Sequence, residues 1–294
     1  MHRIGIDLGG TKIEIAVLDD QGLAVFQKRV PTYQEQGYRA ILNRIEALYR
    51  ETLAVIGHQP HTLGVGTPGA ASAKTGLMKN SNTQCLNGRP LPEDLATQLG
   101  HPLWIENDAN CFTLAEALRG AGAGKETVFG VIMGTGCGGG IAIGGRIHSG
   151  IQRIAGEWGH MTIDPAGPAC YCGKRGCVET YISGGGLERI YAERFGSKQP
   201  VEAIVAGFRN GEPGPSEVFR EFLEHFGAAL SNVIGILDPD LVVLGGGLSN
   251  IEELYTMGRE EVRKRLFSDE LLTPIVPNRL GDSAGVFGAA MAGV

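Results

Sequence analysis

The sequence predicts an α/β protein built as two related lobes with a central cleft, and three observations carry that expectation. A run of strand, glycine turn, strand, hairpin and strand starts near residue 3, and the same order starts again near residue 128. The 294 residues approach the limit for a single hydrophobic core, which favours two. Glycine supplies 46 of them, about twice its usual share, with no Gly-x-y period and in bursts beside apolar runs. Such a backbone turns tightly, or meets a ligand closely, at several places. An apolar fraction of 43% with 14 prolines sets aside a disordered low-complexity chain.

Each element follows in order. Arg3 to Leu8 reads as a buried strand, Thr11 to Leu18 as a second and Leu23 to Val30 as a third, with Asp19-Asp20-Gln21-Gly22 as a turn. Ile41, Leu42, Ile45, Leu48, Tyr49 and Leu53 recur at helical spacing between Tyr38 and Val55. Thr62 to Gly66 is a short strand. Pro102 to Ile105 is another, followed by a helix from Ala109 to Leu118 that Asn107 or Asp108 caps. Ala115 to Lys125 is the crossover between lobes, dividing 1–118 plus 281–294 from 119–280. The second series begins with the strand Val128 to Met133. Gly140 to Ile143 continues it, Gly144-Gly145 is a hairpin turn, and Arg146 to His148 returns. Val218 to Leu237 is a helix with a wide apolar face that includes Phe219, Phe222, Phe226 and Leu230. Leu241 to Leu244 is a buried strand, with a helix expected after Asn250. Ala284 to Ala292 is a small apolar helix.

Twenty-six basic against 32 acidic side chains give a net charge of −6, which argues against broad binding of nucleic acid or anionic membrane. No uncharged apolar run reaches 18 residues, and the N-terminus meets Asp7 at once, without the apolar segment of a signal peptide. The cytoplasm is the expected compartment. Cysteines there stay reduced unless they bind metal, and Cys85, Cys111 and Cys137 read as small buried hydrophobes.

Five motifs carry chemistry. Asp7-Leu8-Gly9-Gly10-Thr11-Lys12 lies between two strands. Its exposed N–H groups can cradle a phosphate, Thr11 and Lys12 add a hydroxyl and a charge, and Asp7 can hold a metal–nucleotide through water; a plain turn is the other reading. Gly134-Thr135-Gly136-Cys137-Gly138-Gly139-Gly140 puts five glycines in seven residues, without Walker or Rossmann spacing, and fits a second phosphate hairpin facing the first. Gly245-Gly246-Gly247 ends a strand, where open α/β sheets place ligands. Glu106-Asn107-Asp108-Ala109-Asn110 follows a strand, and an Asp there is either a helix cap or a general base for phosphoryl transfer to a hydroxyl. Finally, His160, Cys170, Cys172 and Cys177 supply one imidazole and three thiols, a full tetrahedral set for structural zinc. Glu157 and Glu179 flank that loop as candidate acceptors for a polyhydroxylated ligand.

Together, the Asp7–Lys12, Glu106–Asn110, Gly156–His160 and Cys170–Glu179 motifs resemble the ROK family (repressors, open reading frames and sugar kinases), over residues 3 to about 292. The resemblance implies the actin-like ATPase, or ribonuclease H-like, pair of lobes. It implies ATP-dependent phosphorylation of a hexose at its 6-hydroxyl, with Mg²⁺ accompanying ATP and with lobe closure expelling water. Asp108 is then the general base. Gly69, Asn107, Glu157, His160 and Glu179 join it in binding sugar. Asp7, Gly9, Gly10, Thr11, Lys12, Gly134, Thr135 and Gly136 hold the nucleotide's phosphates and metal, and Gly245, Gly246 and Gly247 flank the adenosine together with the stretch from Gly281 to Gly285. One His160 nitrogen faces zinc and the other the sugar. The segment Asn80 to Gly88 looks like that of bacterial fructokinases, so fructose is the expected sugar, with mannose or glucose as further substrates. N-acetylglucosamine or N-acetylmannosamine kinase is the alternative. A homodimer is the family's habit. A repressor of this family carries an N-terminal winged helix, for which the expected start at Gly9 leaves no room; a non-catalytic sugar sensor is the remaining reading.

Overall fold

The computed structural model describes residues 1–292; positions 293 and 294, assigned to the first lobe above, lie outside them. In chain order the elements are β1 (His2–Leu8), β2 (Lys12–Leu18), β3 (Ala24–Pro31), α1 (Tyr38–Val55), β4 (His61–Thr67), β5 (Ala70–Ala71), β6 (Met78–Lys79), α2 (Leu91–Leu99), β7 (Trp104–Asn107) and α3 (Asp108–Arg119). There follow β8 (Thr127–Met133), β9 (Cys137–Ile143), β10 (Arg146–Ile147), α4 (Glu179–Ile182), α5 (Gly184–Phe195), α6 (Val201–Arg209), α7 (Pro213–Leu237), β11 (Leu241–Gly245), α8 (Met257–Arg265), β12 (Ile275–Pro277) and α9 (Ala284–Ala292).

Two five-stranded sheets form, in the orders β3-β2-β1-β4-β7 and β10-β9-β8-β11-β12. Each places the third, second, first, fourth and fifth strand of its own series side by side, so the duplication read from sequence is a duplication of strand order. In the first sheet β1 pairs antiparallel with β2 and parallel with β4, and β7 joins parallel to β4. In the second, β11 pairs parallel with both β8 and β12. A hairpin joins β9 and β10 through Gly144 and Gly145, both at positive φ (56° and 70°), a conformation that favours glycine.

The chain divides into two compact units. One holds Met1–Gly124, Gly140–Ala155 and the chain from Leu280 on; the other holds Lys125–Gly139 and Gly156–Arg279. Residues 140–155, placed with the later lobe from sequence, belong to the first unit because β10 packs on α3 and Ser149 Oγ donates to Glu106 Oε2 (2.8 Å). The crossover is also anchored there. Buried Glu116 of α3 accepts from Ala121 N and Leu280 N, each at 2.8 Å, so one carboxylate fixes both the exit and the return of the chain.

The first unit's core is apolar, with Ile4, Ile6, Ile13, Ile15, Ile41, Leu42, Ile45, Leu91 and Leu95 fully buried. Each such side chain contributes about 1.5–3 kcal/mol. Helix α9 crosses β1 and β4 at glycines: an added Cβ would lie 2.1 Å from Val286 O at Gly5 and 1.8 Å from Ala289 O at Gly64. The second unit is filled by Phe129, Phe219, Phe222 and Phe226.

Several expectations shift. β9 begins at Cys137, so Gly138 and Gly139 lie in the strand with Gly140, not in a loop before it; at Gly139 a Cβ would sit 2.7 Å from the Trp158 ring. Helix α7 starts at Pro213, which serves as a first-turn proline. After Gly247–Asn250 and Glu252–Leu254, both 3₁₀ turns, a full helix begins only at Met257.

Candidate active site

In the first unit Asp7 is the last residue but one of β1, opposite Glu14 of β2 and beside Gly66 of β4. The next hairpin is closed by Gly9 N donating to Lys12 O (2.9 Å) and braced by Thr32, whose N donates to Thr11 O (2.9 Å) and whose hydroxyl donates to Gly9 O (2.7 Å). The N–H groups of Gly10 and Thr11 take no part in these bonds. Gly285, in the first turn of α9, stands against Asp7, where a Cβ would lie 3.0 Å from Oδ2. The sequence had placed it beside the adenosine. Burial, then the Asp108 and Glu14 carboxylates, push Asp7 from about 3.8 up to about 7, against the lowering pull of Lys12 and Arg29.

Asp108 opens α3 and is close enough to Asp7 to raise its pKa. The cap of α3 is Asn107, whose Oδ1 accepts from Ala109 N (2.9 Å) and Asn110 N (3.3 Å) while Nδ2 donates to Gly69 O (3.2 Å). Asn107 is therefore the cap, and Asp108, one residue on, also takes a first-turn N–H, with Oδ1 accepting from Ala109 N (2.8 Å). Gly69 has φ 79°, and a Cβ there would lie 2.4 Å from Lys79 O. A residue not singled out from sequence, Glu106, organises the surroundings. Its Oε1 accepts from Asn107 N (2.9 Å) and Asn110 Nδ2 (3.0 Å), and its other oxygen takes Ser149.

In the second unit the ligating atoms of His160, Cys170, Cys172 and Cys177 all lie within 4.8 Å of one another. His160 Nδ1 is 3.6 Å from Cys170 Sγ, and Cys172 Sγ is 3.6 Å from Cys177 Sγ. The sulfurs are too far apart for a disulfide, and three thiols with an imidazole fit a closed tetrahedral zinc site. Gly176 (φ 60°) permits the wrap, since a Cβ there would lie 1.6 Å from Asp164 O. The other nitrogen of His160 points away from the sulfurs, 3.0 Å from the hydroxyl of Tyr171. Partial desolvation, followed by nearby anions that include Glu179 and Glu157, raises the Tyr171 phenol well above its ordinary value. Glu179 Oε2 accepts from Cys137 N (2.8 Å), and a Cβ on Gly136 would sit 2.6 Å from it, so the carboxylate two residues after Cys177 braces the Gly134–Gly136 turn.

A cavity of about 700 Å³ opens beside that turn. Among its lining residues are Gly134, Thr135 and Gly247, three of the predicted phosphate and adenosine residues. Gly245 and Gly246 do other work: Gly245 completes β11, and Gly246 (φ 79°) packs where a Cβ would be 2.3 Å from Met133 O. The remaining walls were missed from sequence. Gly184 and Gly185 begin α5, with Gly184 N donating to Gly134 O (2.8 Å) and Ser183 capping Gly186 N (2.9 Å). Val201 and Val205 of α6 supply apolar surface, as do Leu248 and Ile251. The signal was present as a fourth glycine run, Gly184-Gly185-Gly186, preceded by a capping serine. The N-terminus of a twelve-residue helix beside a glycine turn is a setting for phosphate.

A family model described as the ROK family matches residues 3–292. The chain belongs to the ROK family. Among its ROK relatives are an N-acetyl-D-glucosamine kinase of Pectobacterium atrosepticum, 39% identical over 98% of this chain and 97% of that one, and one of Yersinia pseudotuberculosis, 39% identical over 97% of each. Among solved structures, a ROK hexokinase from Thermus thermophilus superposes with a TM-score of 0.89 at 32% identity, covering 100% of this chain and 98% of that one. A ROK family glucokinase from Streptomyces griseus, solved with glucose and AMPPNP, gives 0.82 at 30% identity, covering 100% and 99%. The fold is accordingly the two-lobed actin-like ATPase type of its ROK neighbours. No helix among the described residues is long and apolar enough to cross a membrane.

Proposed function

We propose that the protein is an ATP-dependent hexose kinase that phosphorylates a sugar 6-hydroxyl, with N-acetylglucosamine as the leading substrate. The observation that carries the reading is the near full-length similarity, at 38–39% identity, to N-acetyl-D-glucosamine kinases. Fructose, expected from the Asn80–Gly88 segment, has no counterpart among those relatives and becomes a second arm of the test.

Asp108 accepts the hydroxyl proton as the γ-phosphoryl group moves. Its place at the start of α3, near enough to Asp7 for the two carboxylates to interact, supports that role. Gly69, Asn107, Glu157, His160 and Glu179 are proposed to bind the sugar. The nucleotide enters the cavity beside α5 and α6, its phosphates on the N–H groups of the Gly134–Gly136 turn and the α5 N-terminus, while Asp7, Gly9, Gly10, Thr11 and Lys12 receive its terminal phosphates and their Mg²⁺. Zinc, held by His160, Cys170, Cys172 and Cys177, orders the loop and supplies no open coordination position.

The deciding experiment is ADP release across N-acetylglucosamine, N-acetylmannosamine, glucose, mannose and fructose, repeated with Asp108→Asn. Turnover is expected with N-acetylglucosamine as the best sugar, and the variant should lose about 10²–10⁴-fold in kcat. Better turnover of fructose would reverse the sugar assignment, and a fully active variant would remove Asp108 from the chemistry.

A further inference from the structure

Tyr171 sits between two of the candidate metal ligands, Cys170 and Cys172, and is more than half exposed (59%). The backbone on either side is pinned, with Cys170 N donating to Lys174 O (2.9 Å) and Gly173 N to Cys170 O (3.0 Å). The Tyr171 hydroxyl lies 3.0 Å from His160 Nε2, and the two rings meet edge to face at 5.1 Å and 89°. His160 Nδ1 faces the sulfurs, so Nε2 is the nitrogen left for any ligand outside the metal cluster.

We infer that Tyr171 holds the sugar's place on His160: its hydroxyl occupies Nε2, and an incoming sugar hydroxyl must displace it. The inference rests on the sugar-kinase reading and adds a residue that sets sugar affinity. Displacement exchanges one hydrogen bond for another, so the phenol acts as an internal competitor. Its exposure keeps the cost of swinging aside small, because little packing is lost when the ring leaves.

Tyr171→Phe keeps the ring and removes the competitor. With zinc-loaded protein, the KM for the preferred sugar should fall about 2- to 10-fold, the worth of one hydrogen bond. The kcat, the KM for MgATP and the zinc content per chain should stay within about 2-fold, since none of them depends on freeing Nε2. A purely structural role, in which Tyr171 orients His160 for the metal, would instead lower zinc retention and leave the sugar KM alone. That outcome overturns the inference, as does a sugar KM that is unchanged or raised. Wild-type protein that turns over none of the sugars overturns the kinase reading and this inference together; wild-type turnover with an unmoved KM overturns the inference alone.

Discussion

At the residue scale the carboxyl of Asp7 is strongly perturbed, standing at about 7 against an ordinary 3.8. The folded protein therefore holds a proton there that the unfolded chain has already released. Stability from this group is full below about 3.8, declines as pH rises, and is lost above about 7, because the folded state must then carry a desolvated charge beside Asp108 and Glu14. Asp7→Asn removes the charge and keeps the shape. Its urea-denaturation stability relative to wild type should increase by on the order of 2 kcal/mol between pH 5 and pH 8. A difference between the two proteins that does not vary with pH would refute this account. Residue identities were legible where chemistry dictates them: three cysteines and a histidine in a short span point to metal from sequence alone, and the structure brings them together. Tyr171 was not legible, because nothing in Cys-Tyr-Cys spacing says where the middle ring turns. Glu106 was hidden for a similar reason, as its partners include Ser149, 43 positions away.

At the element scale glycine explains more than ligand binding. Gly64 and Gly288 are packing positions: a Cβ at Gly288 would lie 1.7 Å from Cys111 O, and one at Gly64 1.8 Å from Ala289 O. Helix α9 reaches the sheet because these side chains are missing. Gly64→Ala should cost about 3 kcal/mol in urea denaturation, since the backbone of α9 has to move away. Gly235→Ala in α7 has no atom within 4 Å of the new methyl, so it should be neutral or stabilising by up to ~1 kcal/mol. Equal effects from the two substitutions would contradict the packing argument. Strands and apolar-striped helices such as α1 were readable because their periodicity records burial directly. α5 was not, because it opens with three glycines, the poorest non-proline helix formers. Its start is set by Ser183 and by contact with the Gly134 turn, which are tertiary facts.

At the scale of the whole molecule, a protein of net charge −6 is proposed to bind an anionic nucleotide. The cavity does not offset that balance with side chains. Glu188 and Glu202 line it, and the lining residue Arg209 is committed to Glu253, with Nε 2.7 Å from Oε1 and a terminal nitrogen 2.8 Å from Oε2. What remains for phosphate in that unit is backbone: the Gly134–Gly136 turn and the first N–H groups of α5. Attraction by a backbone cradle acts at contact distance, whereas the repulsion of MgATP by the surrounding acids acts over a Debye length, about 10 Å at 0.1 M salt. Added salt therefore screens the unfavourable part and spares the favourable one. Raising KCl from about 50 to about 300 mM should leave the KM for MgATP level or lower it, in contrast to the steep rise expected where lysines and arginines draw the nucleotide in. A rise of more than about 5-fold across that range would mean that side-chain cations, and not glycine backbone, do the binding.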